Sequence, residues 1–112
     1  MNIQTETRGE IHIVSPSGRI DSATASAFEQ VVNAEFENGA TRLVFDFSQL
    51  DYISSAGLRV ILIAGKRVRT LAGGKLVLCS LGEQIREVFE ISGFLSIFAV
   101  APDLDAAIAL LS

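Results

Sequence analysis

Hydrophobic and polar positions change period in a regular way along this chain. Ile11 and Ile13 alternate with Glu10 and His12, the two-residue period of a strand. The stretch from about Ile3 to Val14 therefore predicts two short strands with a turn at Arg8-Gly9-Glu10, and Ser15-Pro16-Ser17-Gly18 breaks the pattern. From about Ser22 to Asn38 the period lengthens. Ala25, Phe28, Val31, Val32 and Phe36 form one helical stripe, with Asp21 or Ser22 expected as the N-cap and Asn38-Gly39 as the stop. Arg42 to Phe47 (RLVFDF) and Lys75 to Cys79 (KLVLC) are short apolar runs, expected as strands covered on both faces. Between them, a helix is expected from Ser55 to about Ala72, ended by Gly73-Gly74. Ser80-Leu81-Gly82-Glu83 has capping-box spacing and opens a further helix with Ile85, Val88 and Phe89 inward, stopped by Ser92-Gly93. Ser96 to Val100 reads as a short strand, and Pro102 starts a terminal helix with Leu104, Ala107, Ile108 and Leu111 inward.

The order β-β-α-β-α-β-α-β-α predicts an α/β fold. Its sheet should be mixed but mostly parallel, with about five strands, an N-terminal antiparallel edge hairpin and about four helices. At 112 residues the chain is expected to be a single domain, residues 1–112.

Composition narrows the function. Nine Lys and Arg against thirteen Asp and Glu give a net charge of −4, the wrong sign for direct nucleic-acid binding. The lone Cys79 excludes a disulfide framework and a multi-thiolate metal site, and its apolar strand makes it a small core residue. The opening MNIQTETRGE is polar, and the most apolar stretch, Val60 to Gly65, is too short to span a bilayer. A cytoplasmic protein without membrane insertion is expected. No dinucleotide fingerprint, nucleophile elbow or phosphate-binding loop is present. His12 is expected as an exposed strand residue, and no His and carboxylates show metal spacing. No catalytic residue, cofactor or metal is expected.

The net charge conceals a split. Residues 1–51 carry eight acids and three bases, and residues 83–112 carry five acids and one base. Residues 52–82 carry no acid and five bases: Arg59, Lys66, Arg67, Arg69 and Lys75. On the second helix Gly57, Val60, Ile61, Ala64, Val68 and Leu71 should face the sheet. Arg59, Ile63, Lys66 and Thr70 should point away, flanked by Leu62, with Leu62 and Ile63 both exposed. A solvated face does not need those two apolar residues; a docking surface for an acidic partner does. That helix opens at Asp51-Tyr52-Ile53-Ser54-Ser55-Ala56-Gly57-Leu58. In a parallel α/β sheet this helix start lies at the carboxyl end of the preceding strand, where ligands and partners are met. Serine is the ordinary residue at a helix N-cap. Two serines followed by Ala56 and Gly57 exceed that need and leave a hydroxyl open to a large reagent such as a kinase. Asp21, expected as an N-cap, could lie on the same edge.

These residues carry a resemblance. Ile53-Ser54-Ser55-Ala56-Gly57-Leu58-Arg59-Val60-Ile61-Leu62 resembles the signature of the STAS domain of bacterial anti-sigma factor antagonists. Gly18-Arg19-Ile20-Asp21 resembles that family's turn before the first helix, and Leu43 to Ser48 (LVFDFS) and Leu76 to Ser80 (LVLCS) its central strands. The resemblance covers essentially the whole chain, in order. It implies a switch by partner exchange: an anti-sigma factor with serine-kinase activity phosphorylates a serine in this motif. The unphosphorylated antagonist captures that kinase, and a serine phosphatase resets the phosphorylated form. Alignment on Gly57-Leu58 puts the phosphoacceptor at Ser55. Ser54 stands where the family often has an acid and Ala56 where it often has a hydroxyl, which leaves Ser54 as a rival acceptor. The expected partner surface is Asp21, Ser54, Ser55, Ala56, Gly57, Arg59, Leu62, Ile63 and Lys66. The alternative is an accessory subunit of a lipid or solute transport assembly, in which Ser55 is structural. A nucleotide-binding protein and a hydrolase using Ser55 rank lower, for want of a phosphate-cradling loop and of a general base.

Overall fold

The computed structural model describes all of residues 1–112. β1 (Asn2–Arg8) and β2 (Ile11–Ile20) form the expected hairpin, antiparallel from Asn2↔Ser17 to Arg8↔Ile11. After it come α1 (Ala25–Glu37), β3 (Arg42–Asp46), β4 (Leu50–Ile53), α2 (Ser55–Val68) and β5 (Lys75–Cys79). The chain closes with α3 (Glu83–Ile91), the single turn α4 (Phe94–Ile97), β6 (Ala99–Ala101) and α5 (Leu104–Leu111). The sheet runs β1-β2-β3-β5-β6, and β4 pairs with the far end of β2. Every pairing after the hairpin is parallel. No helix is long and apolar enough to cross a membrane.

The apolar strands are buried on both faces, as their composition requires. Leu43, Phe45, Leu76 and Leu78 join the larger core, which the first four helices help to close. Val44, Val77 and Cys79 point the other way, into a smaller core closed by Ala107 and Leu111 of α5. Burial pushes the Cys79 thiol up to about 11, so it stays protonated and inert. Phenylalanines tie the larger core together. Phe28, Phe45, Phe47, Phe89, Phe94 and Phe98 form a continuous series, with successive ring centroids 5.3 to 6.2 Å apart. These are spacings at which aromatic pairs attract beyond simple burial.

The structure departs from the sequence expectation at several places. Ser15-Pro16-Ser17-Gly18 does not end β2. Its pairing with β3 stops at Val14 and its pairing with β4 starts at Gly18, so Pro16 falls where β2 has a neighbour on one side only. The sheet has six strands, because Leu50–Ile53 is a strand, and there are five helices, because Phe94–Ile97 makes one turn ahead of β6. His12 is not exposed. α1 covers its side of β2, and its Nδ1 lies 3.1 Å from Oε1 of Glu35 with both side chains largely buried. Ser80 is not a cap but a left-handed residue (φ 60°) where the chain leaves β5, and Gly82 takes the N-cap position of α3. The terminal helix is capped by Asp103, whose carboxylate accepts the Ala106 N–H at 2.8 Å. α2 ends at Val68, four residues before the expected stop, so Thr70 and Leu71 lie beyond it.

Phe47 is fully buried between Phe45 and Phe89. Phe47→Ala should cost about 3–5 kcal/mol in urea unfolding, the range for a truncated core aromatic.

Candidate functional site

Three segments meet at the carboxyl edge of the sheet. β2 and β4 end there side by side, with Ile20 opposite Ile53, and α2 begins immediately after β4. Ser54 is fastened by three bonds. Its N–H donates to the Ile20 carbonyl at 2.8 Å and its carbonyl accepts the Leu58 N–H at 3.0 Å. Its hydroxyl oxygen accepts the Gly57 N–H at 3.4 Å, so Ser54 is the N-cap of α2. Gly57 explains how close the helix comes. A Cβ at that position would lie 2.6 Å from Ile20 Cγ2 and 2.7 Å from Ile53 Cγ1, so no larger residue fits without moving both side chains.

Ser55 differs from its neighbour in every respect that matters chemically. It is the first residue of α2, it is exposed, and its hydroxyl makes no hydrogen bond within the chain. It sits among the first backbone N–H groups of the helix, which lack intrahelical acceptors, at the positive end of the dipole. Ser54, by contrast, is half-buried. The two serines that sequence alone left as rivals are thus separated by geometry into an engaged cap and a free hydroxyl.

Asp21 follows Ile20 directly and lies on the same edge, but it does not cap α1. α1 starts at Ala25 behind Thr24. The Asp21 carboxylate instead closes the preceding turn, accepting the Ala23 N–H at 2.9 Å and the Thr24 N–H at 3.2 Å. The Ala23 amide, helped by the Thr24 hydroxyl and amide, holds the carboxyl below its ordinary value despite partial desolvation. Arg19 and Tyr52, neither of which the sequence singled out, pair across β2 and β4 at this edge. The Arg19 guanidinium lies 4.2 Å from the centroid of the partly exposed Tyr52 ring. Only the unforeseen pairing of β4 with β2 brings them together, so no local sequence signal could have found them.

On α2, Gly57, Val60, Ile61, Ala64 and Val68 are buried and Arg59, Ile63 and Lys66 point to solvent. Leu62 does not join the exposed stripe as expected; it is half-buried against the larger core. The five bases of the acid-free segment divide in two. Arg67 stacks over the Phe36 ring at 4.4 Å and ties α2 to α1. Arg59, Lys66, Arg69 and Lys75 are exposed, and the ion pairs of the chain (Arg8–Glu6, His12–Glu35 and Arg42–Glu10) include none of them.

A mixed sheet that carries a serine pair at a helix start on its carboxyl edge has close parallels. The family model described as STAS domain matches residues 2–107. The chain belongs to the STAS domain family. It is 52% identical over 92 residues to BtrV of Bordetella bronchiseptica, whose name places that protein among the anti-sigma factor antagonists. The aligned part covers 82% of this chain and 78% of BtrV. An anti-sigma factor antagonist from Mycobacterium paratuberculosis has a crystal structure with a TM-score of 0.87 to this STAS chain at 27% identity, covering 98% of this chain and 92% of that one. The Bacillus cell fate determinant SpoIIAA in its phosphorylated form shares the fold, with a TM-score of 0.75 at 20% identity and coverage of 99% and 100%.

The site's construction has a measurable consequence. Ser54→Ala should cost about 0.5–2 kcal/mol through loss of the cap, whereas Ser55→Ala should stay within about 0.5 kcal/mol of wild type. Urea unfolding of the two variants checks the contrast.

Proposed function

We infer that this STAS domain is an anti-sigma factor antagonist, a non-enzymatic binding module gated by phosphorylation of Ser55. Unphosphorylated, it captures an anti-sigma factor that has serine-kinase activity. Phosphorylated at Ser55 it lets that partner go, and a serine phosphatase returns it to the binding state. The observation that carries this reading is the free, exposed Ser55 hydroxyl beside a Ser54 already engaged as the cap.

A phosphoserine brings about −1.5 to −2 charges and three acceptor oxygens. At the first position of α2 those oxygens meet unpaired backbone N–H groups and a dipole favouring anions by about 0.3–2 kcal/mol. The fold therefore tolerates the modification, and the phosphorylated SpoIIAA structure is a precedent for this architecture holding a phosphoryl group. At an interface the same dianion loses its water. Against an apolar or acidic partner surface it is left without compensation and costs several kcal/mol. Each 1.4 kcal/mol is about tenfold in affinity, so two or three decades of binding disappear. The unpaired Arg59 and Lys66, with Ile63 between them, continue the docking surface along α2 toward a partner of acidic and apolar character.

The test is to incubate the protein with ATP and each candidate anti-sigma factor kinase of its host, then map phosphate by mass spectrometry. One phosphate at Ser55, absent in Ser55→Ala, is expected. Ser55→Asp should weaken capture of the kinase at least tenfold, about the effect of one charge-assisted contact. Arg59→Glu with Lys66→Glu should weaken capture without shifting the melting temperature. Phosphate confined to Ser54, or Ser55→Asp binding as tightly as wild type, would overturn the assignment.

A further inference from the structure

The remaining unpaired cations, Arg69 and Lys75, point to a second site away from Ser55. Both line a groove of about 760 Å3 with Lys66, between the last turns of α2, the first residues of β5 and β6, and the end of α5. This is the amino-terminal edge of the parallel strands, whereas Ser54 and Ser55 stand at their carboxyl edge. The groove is within the range of about 300–1,000 Å3 usual for small-molecule sites. Eight of its fourteen lining residues are hydrophobic, three are the cations, and none is acidic.

Two features give the groove a defined chemistry. One is an apolar wall left open to solvent. Ile97 and Leu110 are 47% and 54% exposed, whereas Phe94 of α4 and Ala107 and Leu111 of α5 are buried. The wall continues into Phe98, whose ring lies on Gly65 so closely that a Cβ there would come within 2.5 Å of it. The other is a cluster of three cations with no counter-ion in the chain. Lys66 lies in the last turn of α2, Arg69 caps its end, and Lys75 opens β5 in the same groove. The carbonyl end of α2 also faces this edge and opposes any anion, so a negative head there depends on the three cations. An open apolar wall in the same groove as three cations complements an amphiphile with one anionic head.

We propose that this groove binds a single-chain amphipathic anion, such as a medium-chain fatty acid or alkyl phosphate. The head is held by Arg69, Lys75 and Lys66, and the chain lies against Phe98, Ile97 and Leu110. The site stands independently of the Ser55 switch, and its test uses Arg69 and Lys75, which are not on the surface running from Ser55.

The experiment follows amide shifts of the full chain during titration with decanoate, decyl phosphate, decan-1-ol and inorganic phosphate, each below its aggregation or solubility limit. Saturable shifts centred on Gly65, Phe98 and Leu110 are expected with decanoate or decyl phosphate, and the tighter of the two names the head group. Inorganic phosphate, which has no chain, should leave these amides unmoved. Arg69→Glu with Lys75→Glu should weaken binding at least tenfold, and Leu110→Ser should weaken it too, with melting temperatures unchanged. These side chains are exposed, so the folded state is retained. Absence of saturable shifts, shifts centred elsewhere, or decan-1-ol binding wild type as tightly as decanoate and decyl phosphate do would overturn the proposal.

Discussion

The contact of Gly57 with Ile20 and Ile53 governs the geometry of this STAS domain. With no side chain at residue 57, the first turn of α2 settles directly on the ends of β2 and β4, close enough for the Ser54 N–H to reach the Ile20 carbonyl at 2.8 Å. That bond and the cap to Gly57 turn the Ser54 hydroxyl inward, and the next residue along the helix then faces out. The difference between the two serines is thus a consequence of backbone packing. A glycine selects which hydroxyl is left for chemistry.

Much of this architecture was legible in the sequence because the sheet is covered on both faces. Leu43, Val44 and Phe45 are apolar in succession since each side of β3 meets a core, and the alternation of such runs with helical stripes specifies parallel crossovers. The misses have a common cause. Leu50-Asp51-Tyr52-Ile53 is too short to show a strand period, and it becomes a strand because β2 continues past Pro16 to meet it. Phe94–Ile97 coils into a turn to place Phe94 and Phe98 at the end of the phenylalanine series, overriding a strand-like local pattern. At the site, the helix start, the serine pair and the basic face were visible as local patterns. The distinct fates of Ser54 and Ser55, and the Arg19–Tyr52 pair beside them, depend on the contact between β2 and β4 and were not.

Charge completes the picture. The net −4 is the sum of two acidic flanks and one basic segment, and the structure places that segment along α2 and into the first residue of β5. Arg67 is consumed by packing on Phe36, and four cations remain without partners inside the chain. Two of them extend from Ser55 along the outward face of α2, while Lys66 also meets Arg69 and Lys75 at the far edge. One helix therefore presents an open serine hydroxyl at its start and cations at its end, each at its own edge of the sheet. Exposed unpaired charges of this kind stabilise a lone domain little. Their value lies in attraction and steering of partners.

The central claim is that a phosphoryl group on Ser55 changes what the protein binds while leaving its fold intact. The most direct measurement is the thermal melting of chain made with phosphoserine incorporated at residue 55, beside unmodified chain at the same ionic strength. A melting temperature equal to that of the unmodified chain, or raised by the helix dipole, is the predicted result. At about 4–8 °C per kcal/mol for a domain near this size, the rise should not exceed roughly 15 °C. A fall of about 10 °C or more, with loss of the native near-ultraviolet signal, would contradict the account. It would mean that residue 55 is part of the packed structure and not an open acceptor.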